Sequence, residues 1–190
     1  LGAVCALVIG LYFWSAEPGF LELRSLSPAD TYYNLLARGL RDGQLHLHRA
    51  VPPGLAQLAD PYDPAANAVY RRPSYKVHDL SYYKGRLHLY FGVTPALILF
   101  WPYAALTGCY LFHRQAVAIF CAVGFLASAG LLRSLWRRYF LEVNVWIMAP
   151  CVIGLGLVSG APLLLSQSDV YEVAVSCGYM MVMLALGAIW

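Results

Sequence analysis

Gln115-Ala116-Val117-Ala118-Ile119-Phe120-Cys121-Ala122-Val123-Gly124-Phe125-Leu126-Ala127-Ser128-Ala129-Gly130-Leu131-Leu132-Arg133-Ser134-Leu135-Trp136 decides the class of this chain. A helix needs about 20 apolar residues to cross the hydrocarbon core of a bilayer, and this run is long enough. Its one charge, Arg133, falls near its end. Working outward from it, further apolar segments cover Leu1–Trp14, Phe91–Phe112, Val145–Leu165 and Tyr171–Trp190.

The whole composition agrees. Of 190 residues, 60% are hydrophobic and only 12% are charged; mean hydropathy is +0.58. A soluble domain carries about 25% charge. These numbers imply an all-α polytopic membrane protein, with transmembrane helices plus a long exterior loop that carries juxtamembrane helices. The expected layout is a first transmembrane helix over 1–14 and an exterior loop over 15–90, with a juxtamembrane helix near 29–41. An interfacial or re-entrant helix follows over 91–112. Further transmembrane helices are expected over 113–136, 143–165 and 170–190. The chain starts without Met and stops inside an apolar run, which suggests a piece of a longer protein.

The net charge of +3 is small and its basic residues are scattered, so nothing resembles a nucleic-acid footprint. Cys5, Cys109, Cys121, Cys151 and Cys177 all sit in or beside apolar segments, without a CxxC pair. They read as small buried hydrophobes.

The polar stretch from Ser15 to Tyr90 has internal order. Ser27-Pro28-Ala29-Asp30 is a helix start. Tyr33, Leu36, Ala37 and Leu40 follow at helical spacing and give one apolar face. Asp42-Gly43 stops the helix. A short helix is expected over Leu55–Ala59, and Asp60-Pro61-Tyr62-Asp63-Pro64 reads as a double turn. Ser81–Tyr90 alternates around Lys84-Gly85 and reads as a hairpin.

Topology places the acids. Short loops rich in Lys and Arg stay cytoplasmic, so Arg133, Arg137 and Arg138 belong inside. Pro95 and Pro102 interrupt Phe91–Phe112, whose Trp and Tyr residues suit the headgroup region. If that segment lies in the interface, Asp30, the long loop, Asp169 and Glu172 share the exterior side. If it spans, the three Arg join Asp30 instead. The first arrangement is preferred.

The candidate chemistry follows. Asp30 heads a surface helix near headgroup depth; spacing alone reads it as a helix cap. Asp169 and Glu172 open an apolar helix, where acids suit the helix dipole. Glu172 lies a turn deeper, and an acid inside a span is a functional candidate as much as a cap. Arg71, Arg72, Lys76, His78, Lys84, Arg86 and His88 interleave with Tyr70, Tyr75, Tyr82, Tyr83 and Tyr90. That set reads either as a solvated face or as a phosphate-binding rim with stacking rings.

The order of these parts resembles the amino-terminal region of GT-C superfamily glycosyltransferases. Protein O-mannosyltransferases, lipid A aminoarabinose transferases and many bacterial relatives belong to that superfamily. Asp30-Thr31-Tyr32-Tyr33-Asn34-Leu35-Leu36-Ala37-Arg38 is similar to its acidic juxtamembrane motif, and Gly43-Gln44-Leu45 to the G-x-L that follows. Tyr83-Lys84-Gly85-Arg86-Leu87 through Gly92-Val93-Thr94-Pro95 looks like the run into its interfacial helix. His113-Arg114-Gln115-Ala116, ahead of a helix ending in Arg137-Arg138, resembles its second transmembrane helix.

The resemblance implies inverting sugar transfer from a polyprenyl-phosphate-linked donor on the outer face of a bacterial inner membrane. Asp30 would be the base, and Glu172 would orient the acceptor or help hold a divalent metal. Lys84 and Arg86, ahead of Arg71, Arg72 and Arg114, would meet the carrier phosphate. Tyr32, Tyr33 and Tyr83 would stack on substrate. The alternative expectation is a non-catalytic polytopic component of transport or polysaccharide assembly.

Overall fold

The computed structural model describes residues 1–16, 28–70 and 79–190. These fall into two compact units. One combines Leu1–Ser25 with Phe112–Trp190; the other is Leu26–Leu111. The chain is mostly helical, and three helices are long and apolar enough to cross a membrane: His113–Tyr139, Val145–Gln167 and Val170–Ile189.

The first unit holds α1 (Gly2–Ser15), α4 (His113–Tyr139), α5 (Val145–Val158), α6 (Ala161–Gln167) and α7 (Val170–Ile189). At 1.5 Å per residue α4 is about 40 Å long and α7 about 30 Å. The closest pairing is α4 against α7, and the two run parallel. At one end His113 Nδ1 lies 3.9 Å from Asp169 Oδ1. At the other, the Arg138 guanidinium lies 5.3 Å from the Trp190 ring centroid. Arg133, Arg137 and Arg138 therefore gather at the opposite end from Asp169 and Glu172, a separation common to both topologies. Their outward positions, among them Leu126, Trp146, Ile147, Leu157, Val182 and Leu184, are apolar and exposed, as a lipid-facing surface would be.

Small residues bring these helices together. A Cβ on Gly124 would stand 2.6 Å from the Tyr179 ring and 3.2 Å from Met180 Cα. Beside it, Ser128 Oγ lies 3.0 Å from the Tyr179 hydroxyl. α1 docks similarly: Val8 packs on Gly156, and the Tyr12 hydroxyl donates to the Gly156 carbonyl at 2.5 Å. The helix expected as one piece over 143–165 is broken at Ser159-Gly160. Gly160 takes φ +80°, and Pro162 has no N–H to continue the ladder.

The second unit begins with a 3₁₀ turn, Pro28–Asp30, and α2 (Tyr32–Arg41). α2 ends where Asp42 caps it and Gly43 turns left-handed at φ +73°. Ser27, the first residue of the expected helix start, lies outside the described residues. The expected short helix is a 3₁₀ turn over Leu55–Gln57. Asp60 and Asp63 each turn the chain by accepting a backbone N–H two residues on, from Tyr62 at 2.8 Å and Ala65 at 2.9 Å. The hairpin pairs β1 (Leu80–Tyr83) with β2 (Arg86–Leu89), Tyr83 opposite Arg86. Lys84 and Gly85 both have positive φ, the mirror-image turn that matches strand twist. Leu87 and Leu55 form a small core with Val51, Leu58, Leu80 and Tyr82.

Within 91–112 the helix is Ala96–Thr107, shorter than a span. Its first part, Ala96–Phe100, is a π-turn, which precedes α3 (Trp101–Thr107). Pro102 lacks the N–H that a regular helix would use there, and the wider turn accommodates the loss. Tyr33 of α2 stacks on Phe100, with ring centroids 5.3 Å apart.

Gly124→Ala should therefore destabilise the α4–α7 pair by about 1–3 kcal/mol, because the added methyl has no room. Gly130→Ala, where the new Cβ meets nothing within 4 Å, should be neutral or slightly stabilising. Thermal unfolding of the two variants in detergent checks this; equal melting temperatures would contradict the packing.

Candidate functional site

The two acids singled out in the sequence are held in different ways. At α7 they form a reciprocal capping box. Asp169 Oδ1 accepts the Val170 N–H at 2.8 Å, and Glu172 Oε2 accepts the Asp169 N–H at 3.0 Å. Glu172 is buried, 8% exposed, with one oxygen committed to that bond. Its environment is that of a cap that satisfies orphan backbone donors, and its depth follows from the same geometry.

Asp30 differs. It closes the 3₁₀ turn, but the N-cap of α2 is Thr31, and no side chain caps that helix end. Thr31 instead turns its hydroxyl to the Pro28 carbonyl at 2.8 Å. Asp30 is exposed, and among the described residues its carboxylate has no hydrogen-bond or ion-pair partner. The cap reading of Asp30 thus fails on geometry, because the chain passes into α2 one residue later than the spacing suggests.

Asn34 fixes the position of that turn. It is fully buried, and its Nδ2 lies within hydrogen-bond distance of three oxygens: Pro28 O at 2.7 Å, Thr31 Oγ1 at 2.8 Å and Leu111 O at 2.7 Å. Sequence reasoning passed over Asn34. The available signal was a polar residue flanked by apolar ones inside the helix.

Of the expected cationic rim, the hairpin carries Lys84, Arg86 and His88. Arg71, Arg72, Lys76 and His78 lie outside the described residues. Lys84 sits on the hairpin turn, its ammonium 5.2 Å from the Tyr83 ring centroid. Arg114 belongs to the other unit, where its guanidinium stands 4.8 Å from the Phe112 ring centroid. Arg86 donates from Nη1 to His46 Nε2 at 2.8 Å, so His46 accepts through that nitrogen and is neutral in this contact. Desolvation, and then the charge of Arg86 with His88 and His48 nearby, hold His46 below the usual histidine range.

Of the expected stacking residues, Tyr83 is exposed and Tyr32 half-buried. Tyr33 is a correction: it is fully buried against Phe100, so it supports the fold and presents no face to a ligand.

A cleft that the sequence did not suggest lies beside α2. Arg38 and Arg41 line it with Trp101, Ala104, Ala105 and Tyr110, around a volume of about 410 Å³. Two guanidinium-bearing side chains over an apolar floor suit an anionic head on an apolar tail. The i, i+3 spacing of Arg38 and Arg41 was visible in the sequence; the wall from α3 was not. Among the described residues no three His, Cys, Asp or Glu gather as a metal ligand set.

Removing a cap side chain costs roughly 0.5–2 kcal/mol. Asp169→Ala and Glu172→Ala should each lower stability by that much, while Asp30→Ala should change it by less than about 0.5 kcal/mol. Chemical denaturation in detergent separates the cases, and a large loss at Asp30 would restore its role as a cap. His46 supplies a second check. Its folded pKa is depressed, so stability rises with pH through the window between that value and about 6.5, and acidification through it removes the Arg86 contact. Arg86→Gln should move the NMR titration of His46 upward; an unmoved midpoint would refute the contact. No family model, curated protein or solved structure matches this chain.

Proposed function

We propose that this chain is part of an integral-membrane glycosyltransferase of the GT-C type. It would move a sugar from a polyprenyl-phosphate-linked donor to an acceptor hydroxyl on the exterior face of a bacterial inner membrane. The observation that carries the proposal is the state of Asp30: an exposed carboxylate that caps nothing, ahead of a helix whose apolar face is buried. The three helices long and apolar enough to span support the membrane setting.

In this reading the acceptor hydroxyl attacks the anomeric carbon from the side opposite the carrier phosphate. Its proton passes to Asp30. The bond from the anomeric carbon to the phosphate oxygen breaks, its electron pair leaves on the phosphate, and configuration inverts. A solvated carboxylate can do this if the proton moves late, as the new bond forms. Arg38 and Arg41, the latter 4.0 Å from the Asp42 carboxylate, would hold the departing phosphate, because they share a cleft whose other walls suit a prenyl chain. Lys84 and Arg86 remain candidates for a second phosphate contact, and Tyr32 and Tyr83 for stacking. Glu172 is committed to the α7 terminus and takes no step, and none is routed through a metal.

The test uses the full-length protein in membranes, with radiolabelled polyprenyl-linked donor. Asp30→Asn should lower turnover by at least about a hundredfold with donor binding retained, the loss expected for a general base. Arg38→Ala should weaken donor binding. Undiminished turnover in a folded Asp30→Asn protein would reject the assignment and favour the non-catalytic transport or assembly reading.

A further inference from the structure

The end of α4 away from Asp169 and Glu172 holds a recess of about 550 Å³. Arg133 and Arg137 line it, one helical turn apart and so on the same face. Trp136, Leu141 and Val145 supply its apolar part, and Leu1 and Gly2 at the start of α1 complete it. All of these residues belong to the helical unit.

Local structure fixes the apolar part. The Trp136 indole donates from Nε1 to the Val143 carbonyl at 3.0 Å, which pins the ring under the turn between α4 and α5. The Val143 N–H closes that turn onto the Phe140 carbonyl at 3.0 Å. Asn144 Oδ1 then accepts the Trp146 N–H at 3.0 Å and starts α5 beside the recess. Arg138 is held elsewhere, over the Tyr139 and Trp190 rings at 5.6 and 5.3 Å. Arg133 and Arg137 are both exposed.

Depth comes from the sequence. Residues 116–132 of α4 carry no charge, a run of about 25 Å at 1.5 Å per residue. The hydrocarbon core of a bilayer is about 30 Å thick. In a spanning α4, Arg133 therefore falls at the edge of that core and Arg137 one turn further out, at headgroup depth.

The lining selects among ligands. Two guanidinium groups beside an apolar surface suit a phosphate that carries a hydrocarbon tail. A small soluble anion would leave Trp136, Leu141 and Val145 without a partner. A zwitterionic lipid brings no net charge, whereas 133–142 holds three arginines against one acid, Glu142. That excess attracts a headgroup of net negative charge.

We infer that the Arg133–Arg137 recess is a binding site for an anionic phospholipid. Its phosphate would lie between the two guanidinium groups, with the first acyl methylenes on Trp136, Leu141 and Val145. The site rests on the membrane setting; it uses neither Asp30 nor the Arg38–Arg41 cleft and does not depend on sugar transfer.

Native mass spectrometry of the full-length protein, delipidated in detergent and titrated with dioleoyl phosphatidylglycerol or dioleoyl phosphatidylcholine, tests this. Phosphatidylglycerol should bind at least about tenfold more tightly, as two basic residues at an anionic surface imply. Arg133→Gln and Arg137→Gln, both at exposed positions, should each weaken it by about fivefold and leave phosphatidylcholine unchanged. Arg114→Gln, the same charge change at the other end of α4, should have no effect. Glycerol 3-phosphate in large excess should not displace the lipid. Equal binding of the two lipids, phosphatidylglycerol binding indifferent to Arg133→Gln and Arg137→Gln, or an equal loss in Arg114→Gln would overturn the assignment. Displacement by glycerol 3-phosphate would overturn it in favour of a soluble anion. No sugar donor is present, so failure here leaves the transfer proposal standing, and failure of transfer leaves this site standing.

Discussion

One buried amide holds the loop unit closed. Asn34 reaches back to Pro28, where that unit begins, and across 77 residues to Leu111, where it ends. Its –NH₂ group has two hydrogens for three nearby oxygens, so one of these bonds is shared. The orientation is unambiguous, because a flipped amide would put an oxygen among oxygens. The two features at the start of the unit depend on this closure most directly. The 3₁₀ turn that presents Asp30 is anchored by it, and α2, which carries Arg38 and Arg41, starts from it. A hydrogen bond of this kind contributes only about 0.5–1.5 kcal/mol net, but leaving its carbonyls unpaired in the interior would cost more.

The acids illustrate why depth is a poor guide to function. Glu172 is buried and looked the stranger residue in an apolar helix. Its position is explained by a backbone N–H that needs an acceptor. Asp30 is exposed and looked ordinary, and it has no structural duty to explain it. What a carboxylate is free to do depends on what its neighbours already ask of it, and only the coordinates supply that. The same holds for the cations. Arg86 is engaged by His46, Arg114 stands over Phe112 and Arg41 lies 4.0 Å from the Asp42 carboxylate, while Arg38 and Arg41 share a cleft with an apolar wall.

Features set by neighbours in sequence were legible. The Lys84-Gly85 hairpin, the turns at Asp60 and Asp63, the stop at Asp42-Gly43 and the long apolar helices each depend on a few adjacent residues or on one repeating period. What escaped depends on contacts far apart in the chain. Tyr33 fitted the apolar face of α2, but its stacking on Phe100 required α2 and the π-turn to meet. Asn34 needed Leu111. The interruption at Ser159-Gly160 had a local signal in Gly160 and Pro162, overridden by the hydropathy of the whole segment. The Arg38–Arg41 cleft draws its facing wall from α3, some sixty residues further on, and no short window of sequence contains it.

That interruption ties together parts of the chain that lie far apart in sequence. The Gly156 carbonyl beside it accepts the Ser159 hydroxyl at 3.2 Å and the Tyr12 hydroxyl at 2.5 Å. In hydrocarbon an irregular turn is tolerated only when protein groups satisfy its backbone. One of those groups comes from α1, synthesised more than a hundred residues earlier. The break between α5 and α6 therefore draws one of its side-chain donors from its own turn and the other from α1, 144 residues away in sequence. A change at Tyr12 would therefore be felt at the Ser159-Gly160 break, where the Gly156 carbonyl would keep Ser159 alone as its side-chain donor.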